Sequence, residues 1–360
     1  MWAQAQCPYG CAMSEGLLIQ SMKNNASHRD NPVTSARLDP SLRAAWQAHS
    51  HRWRRGVVGG GLAVLLSGQV RTLPVHAEVQ GALRSYIRLL GGSMRADSTH
   101  IFAALQRNCS YWGTGFLPTH DTIFPRRAKR NHAFNQSKKD EILSGSRDLV
   151  PQAEVDAALA TLGAPYTVRY TSADELLSAV KPTGCSHTGT AISDVLVQWR
   201  GIALAYEMLL THEQRHASSF RWVVRLRPDV CYAVPPAEAL GLQRMDLLGD
   251  TSGCLHDDVY AVLPRWVASA YAATTETLTD CALDVRSCAY SKALEGALHG
   301  SLGPSKMPFV ASMLRHGVAP RHCTNYRNVI VRPGNVDALR DCRAFTAAAE
   351  QQLAGSPYSA

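Results

Sequence analysis

The sequence is poor in charge for its size, and it has no apolar run of about 18 residues, the length a membrane-crossing helix requires. Charged residues make up 18% of the 360 positions and hydrophobic ones 46%, so wholesale disorder is excluded and a full hydrophobic core is within reach. No Cys-x-x-Cys pair occurs, so a zinc ribbon is not indicated; Cys7 and Cys11 lie four apart with no second pair near them. No Gly-Lys-Ser/Thr follows any glycine-rich loop, and there is no internal repeat. Aromatic residues account for 7%. Only Phe124 and Phe134 accompany the basic stretch Arg126–Lys139, a thin platform for stacking bases, so nucleic acid is not the expected partner.

What is present is a net charge of +8, which suits a phosphorylated or otherwise acidic ligand and equally a solvated basic surface. Ten cysteines are too dilute for a disulfide scaffold. Cys281 and Cys288 could be bridged in an oxidising compartment or remain buried thiols. Asn25, Asn108 and Asn135 begin Asn-x-Ser triplets, weak pointers to a secretory route. The opening "MWAQAQCPYGCAMSEG" lacks the basic start and apolar centre of a signal peptide. From Arg52 the chain imitates one, with basic residues, the apolar stretch Gly56–Leu66 and small residues near Ala77, so an internal signal-anchor stays open.

The expected organisation is a poorly ordered leader over 1–55, a single α/β domain over 56–334, and a C-terminal helix and tail over 335–360. From Gly56 strands and helices alternate. "GLAVLLSG" reads as a buried strand, and the helix that follows has Val79, Leu83, Ile87 and Leu90 on one face. "HIFAALQR" and "PYTVRYTS" are further strands, with a helix over 151–162 between them and a long polar excursion over 108–150. Ser172 and Glu175 form a capping-box pattern. The clearest helix runs from Asp194 to His212, with Leu196, Trp199, Ala203, Tyr206 and Leu210 on one face. "RWVVRLRPDVCYAVPP" is a strand broken at Pro228. It is followed by "MDLLGD", by a short strand and helix in "DDVYAVLPRWVASAYAAT", by helices near 291–300 and 305–316, and by the apolar run "NVIVRP". Such alternation argues a mostly parallel sheet covered by helices on both faces.

The chemistry-bearing residues sit where strands end. Gly59, Gly60 and Gly61 precede the first strand, the wrong end for cradling a phosphate, since a phosphate loop follows its strand. The other end reads Ser67-Gly68-Gln69-Val70-Arg71, a tight turn carrying a guanidinium that could meet a diphosphate. In "RLRPD", alternation puts Arg225 and Arg227 on one face with Asp229 just beyond; a salt-bridged strand end is the plainer alternative. His256, Asp257 and Asp258 could supply a general base or hydroxyl-binding carboxylates, or form a solvated turn.

In order, "LLSGQVRT", "RLRPD", "DDVYAV" and "RNVIVRP" resemble the GT-A-type nucleotide-diphospho-sugar transferases, in which a sequence of the form "SGQLRT" follows the first strand. The resemblance spans Gly56 to Pro333. It implies a GT-A-like, Rossmann-like fold and transfer of a sugar from a nucleoside-diphosphate donor to a glycan or protein hydroxyl. A non-catalytic sugar-nucleotide or glycan-binding member of that fold is the alternative. It further implies Ser67, Gly68, Arg71, Arg225 and Arg227 at the donor, Asp229 at a Mn²⁺ or Mg²⁺ ion, and Asp257 and Asp258 in the catalytic role. It leans towards the secretory pathway, with a cytoplasmic location left open. The chain departs from the family's Asp-x-Asp, because Asp229-Val230-Cys231 lacks the second carboxylate. Either a single carboxylate with the donor phosphates holds the cation, or Arg71, Arg225 or Arg227 neutralises the leaving group without one.

Overall fold

A computed structural model describes residues 60–94, 96–107, 149–179, 191–233, 254–255, 259–265, 267–275, 321–322, 328–331 and 335–355. The leader over 1–55, the excursion 108–148, the basic stretch, Cys281 and Cys288, Asp257 and Asp258, and the helices expected near 291–300 and 305–316 lie outside the described residues.

The first strand, β1 (Gly61–Gln69), is flanked in parallel by β2 (Thr99–Gln106) and β4 (Phe220–Leu226), and β3 (Tyr166–Thr171) extends the sheet beyond β2. Beyond β4 the direction reverses: β7 (Ala261–Pro264) pairs antiparallel with it, and the short strands β6 (Cys254–Leu255) and β8 (Arg321–His322) complete the order β3-β2-β1-β4-β7-β6-β8. A separate antiparallel pair joins β5 (Val230–Tyr232) to β9 (Asn328–Ile330). The architecture is therefore α/β with a mixed, mostly parallel sheet.

Successive side chains of a strand point to opposite faces, and β1 shows this directly. Leu62, Val64 and Leu66 enter one apolar cluster with α1 (Ala77–Ser93) and α2 (Gln152–Ala160), whereas Ala63 and Leu65 enter the other with α4 (Ala191–His216) and α5 (Ala268–Ala272). The short α3 (Ala173–Ser178) adds Leu176 to the second cluster, and its start is capped as the Ser172/Glu175 pattern anticipates: the Glu175 N–H donates to Ser172 Oγ at 3.1 Å. The expected face of α1 is buried in full. On α4 the buried surface is wider than expected. Val197, Ile202, Leu204, Ala205 and Leu209 are buried with Trp199 and Tyr206, while Ala203 and Leu210 are only partly so, because the sheet and α5 contact the helix on different sides. The glycines ahead of β1 have a packing reason: a Cβ on Gly60 would fall 1.9 Å from the Asp97 carboxylate, and one on Gly61 2.9 Å from the Phe220 ring.

The last helix, α6 (Val336–Ala354), is capped by Asn335, whose side chain accepts from the Ala338 N–H at 3.1 Å. It lies along α1 with few large buried side chains; Ala338, Cys342 and Ala349 are its buried residues. Polar contacts supplement them, with Arg343 on Glu78 at 3.0 Å and Ser85 Oγ donating to Glu350 at 2.5 Å. A disulfide between Cys231 and Cys342, 111 residues apart, ties α6 to β5. The sequence offered Cys281 and Cys288 as the candidate pair and did not signal this one.

At the amino edge of the sheet, His100 of β2 stacks with His212 of α4 (ring centroids 4.4 Å apart), and His212 with His216 (4.3 Å). Burial, followed by the like charges of His212 and His216, lowers the His100 pKa to about 4. Burial and His216 also lower that of His212.

Two expectations follow. Removing the cross-link in Cys342→Ala should lower the unfolding free energy by about 2–5 kcal/mol in denaturant titrations; an unchanged midpoint, with two free thiols by peptide mapping, would rule the cross-link out. The second concerns acid. Between pH 6.5 and about 4 an unfolded His100 binds more protons than the folded one, so stability rises with pH across that window and is lost on acidification. The melting temperature of His100→Gln should fall less than that of the parent between pH 6.5 and 4, and parallel curves would refute this origin of acid sensitivity.

Candidate functional site

The connections leaving β1 and entering β4 run on opposite faces, through α1 and α4 respectively. In open α/β sheets ligands are held beyond the carboxyl ends of strands where the order turns in this way. The register pairs Leu65 with Arg225 and Leu66 with Leu226, so the end of β1 and the "RPD" turn after β4 lie side by side. The tight turn expected at Ser67-Gly68 is instead strand, paired with Ala104 and Leu105 of β2, and β1 ends at Gln69. The residues expected at a donor from β1 and β4 are thereby brought to one edge; Asp257 and Asp258 lie outside the described residues.

On the β1 side, Ser67 shares the α4 face with Leu65 and is wholly buried, facing Gly201 of α4, where an added Cβ would lie 3.7 Å from it. Its hydroxyl makes no hydrogen bond among the described residues. Gly68 has φ +133°, a conformation that side chains rarely adopt, and a Cβ there would lie 3.4 Å from the Pro228 ring. The end of β1 thus lies against the turn after β4, and it is the backbone conformation of Gly68 that calls for glycine. Arg71 is buried, and its Nε donates to the Gln69 side chain.

On the β4 side, Arg225 is among the largest fully buried side chains of the protein, on the same face as Leu65 and Ser67. β4 ends at Leu226, so strand alternation does not extend to Arg227. Arg227 instead turns to Asp229 in a two-pronged ion pair, Nε to Oδ1 and Nη2 to Oδ2, both at 2.8 Å. The Asp229 carboxylate is wholly buried in this pair, the plainer of the two sequence readings.

Close by lies a group of three tyrosines that sequence reasoning missed, because Tyr86 and Tyr232 occupy ordinary apolar positions of a helix and a strand and Tyr260 directly precedes β7. Tyr232 of β5 stacks on Tyr86 of α1 (5.1 Å, 26°), and the Tyr86 hydroxyl donates to that of Tyr260 at 2.7 Å. The Tyr232 hydroxyl accepts from the Arg227 N–H at 2.6 Å and donates to the Val259 carbonyl at 3.2 Å. Burial pushes the Tyr232 phenol far above its ordinary range, which keeps it protonated as a donor.

The arrangement offers several guanidiniums and one committed carboxylate, a setting suited to an anion. Among the described residues, no group of three or more His, Cys, Asp or Glu side chains is placed to hold a metal, and no helix is long and apolar enough to cross a membrane. Comparison with models of protein families, with curated proteins and with solved structures found no match.

Gly68→Ala should cost about 1–3 kcal/mol through its backbone conformation. Gly163→Ala, at φ +74° with nothing within 4 Å, serves as a control for a left-handed glycine in open space. If Gly68→Ala were no more destabilising than Gly163→Ala in urea titrations, the backbone conformation at Gly68 would not constrain the end of β1.

Proposed function

We propose that this chain is a glycosyltransferase of GT-A-like fold, moving a sugar from a nucleoside-diphosphate donor to a hydroxyl acceptor. The observation that carries the reading is the pairing of β1 with β4, which sets "SGQVR" and "RLRPD" together at the carboxyl edge. These are the segments through which the sequence resembles that class. Breaking the glycosyl–phosphate bond leaves charge on the diphosphate, and positioned guanidiniums stabilise that charge best in a site shielded from water. Arg71 and Arg227 supply them, with Arg225 adding positive potential from within. The acceptor hydroxyl loses its proton to a carboxylate as it attacks, a role this reading gives to Asp257 or Asp258.

A Mn²⁺ or Mg²⁺ ion does not fit Asp229 as it stands. A hard cation takes several oxygen ligands, whereas both oxygens of this one carboxylate are bound by Arg227. No step is therefore routed through a cation. The same pairing favours a second reading, a non-catalytic binder of a sugar nucleotide or glycan on this fold. The Cys231–Cys342 bond supports an oxidising compartment, in keeping with the secretory route.

A thermal-shift screen against nucleoside diphosphates tests both readings. A ligand at 100 times its Kd stabilises the folded state by about 2.7 kcal/mol, so a clear rise in melting temperature is expected with at least one base. Transfer or donor hydrolysis should fall about 10²–10³-fold in Arg71→Ala and persist in excess chelator. Binding without turnover across donors and acceptors would select the binder. Salt-sensitive affinity for nucleic acid with no nucleotide response would reject both.

A further inference from the structure

We propose that Tyr232 is a positioning residue, its hydroxyl fixing the Arg227–Asp229 turn against the segment that leads into β7. The inference rests on the site reading given above. The turn after β4 departs from the sheet: the strand ends at Leu226, and Pro228 has no N–H to give. The Arg227 N–H is received by the Tyr232 hydroxyl at 2.6 Å, and that hydroxyl gives its own proton to the Val259 carbonyl at 3.2 Å. Val259 follows Asp257 and Asp258 directly in the chain. One buried phenol thus joins the backbone that carries Arg227 and Asp229 to the backbone next to the two expected carboxylates.

The ring alone does not require this chemistry. Tyr232 is buried and stacked on Tyr86, with Tyr260 at 5.7 Å, and a phenylalanine would pack there as well. Removing the hydroxyl takes one hydrogen bond from the Arg227 N–H and one from the Val259 carbonyl. Its anchor is firm on the other side too. Asp229 accepts from the Val331 N–H at 2.8 Å, and neighbouring Cys231 is bonded to Cys342. A small shift of β5 would accordingly be passed to Arg227, whose guanidinium direction is set by the Asp229 pair.

Tyr232→Phe and Tyr86→Phe provide the comparison, since each removes one hydroxyl from the same stack and only the first touches the turn. By site-resolved hydrogen exchange, the Arg227 amide should exchange about tenfold faster in Tyr232→Phe, the factor expected from loss of one buried hydrogen bond, and at the parental rate in Tyr86→Phe. The melting-temperature increment from a nucleoside diphosphate should shrink in Tyr232→Phe and be retained in Tyr86→Phe, a difference that general loosening of the core would not produce. An unchanged Arg227 amide in Tyr232→Phe, or equal acceleration in both variants, overturns the positioning role. If no nucleoside diphosphate stabilises the parent protein, the transferase reading fails instead, and the exchange comparison still decides the role of Tyr232.

Discussion

The structure depends on the double hydrogen-bond ladder of β1. Leu62 to Leu66 are wholly buried on both faces, so their backbone groups have no water to turn to and must be paired along both edges. β2 and β4 satisfy them in parallel. Parallel neighbours require crossover connections, and those crossovers cover the two faces with α1 and α4. Once β1 is central, its exit and that of β4 must emerge together. The meeting of Ser67, Gly68 and Arg71 with Arg225, Arg227 and Asp229 is thus a consequence of a buried ladder rather than of any loop preference.

This explains which parts of the molecule were legible in the sequence. β1, α1, β2, α2, β3, α3 and α4 all carry local signals, either an apolar period or a cap, and lie within a few residues of where those signals place them. The upstream glycines were legible as the start of a strand, and their reason lies in Asp97 and Phe220. Distant pairings were not legible. A four-residue apolar run such as Ala261–Pro264 reads alike whether it joins the sheet parallel or antiparallel. The partners of β5 and β9 are three residues each and far apart in the chain. Ten cysteines allow many pairings, and chain distance favoured Cys281 with Cys288 over Cys231 with Cys342, 111 residues apart. Tyr232 was hidden for a similar reason: no period distinguishes a tyrosine that packs from one whose hydroxyl joins two turns.

Charge is handled differently at the two edges of the sheet. At the amino edge Glu213 of α4 accepts from Arg265 through both oxygens, at 2.9 and 2.5 Å, and also from the Phe220 N–H at 3.0 Å; Arg265 further donates to Tyr206 at 2.7 Å. A buried pair of this kind adds little net stability, because desolvation offsets most of the attraction, but losing either partner strands a charge. Its effect is to register the end of α4 against the start of β4 and the end of β7. At the carboxyl edge Gly201 of α4 faces Ser67, where a Cβ on the glycine would lie 3.7 Å from the serine side chain, an ordinary contact. The buried ion pair that registers α4 thus lies at the opposite end of the sheet from the candidate site.

The Arg227–Asp229 pair bears on how the single carboxylate of the Asp229-Val230-Cys231 stretch is to be understood. If Asp229 were the survivor of a cation site, its oxygens would face the place where a cation and its further oxygen ligands sit. They face Arg227, in a bidentate geometry that suits a guanidinium and gives it one fixed direction. The carboxylate orients an arginine, and on the proposed transferase reading Arg71 and Arg225 accompany that pair at the site. An arginine used this way must be held more rigidly than a metal ligand, because its charge lies at the end of a long side chain whose freedom is lost on ordering. The bond from Asp229 fixes one end of Arg227 and the Tyr232 hydroxyl fixes its backbone. The Cys231–Cys342 bond holds the strand that carries Tyr232. On the proposed reading, a single carboxylate at Asp229 and the support given to Arg227 together suit a site that meets an anion through the chain's own arginines.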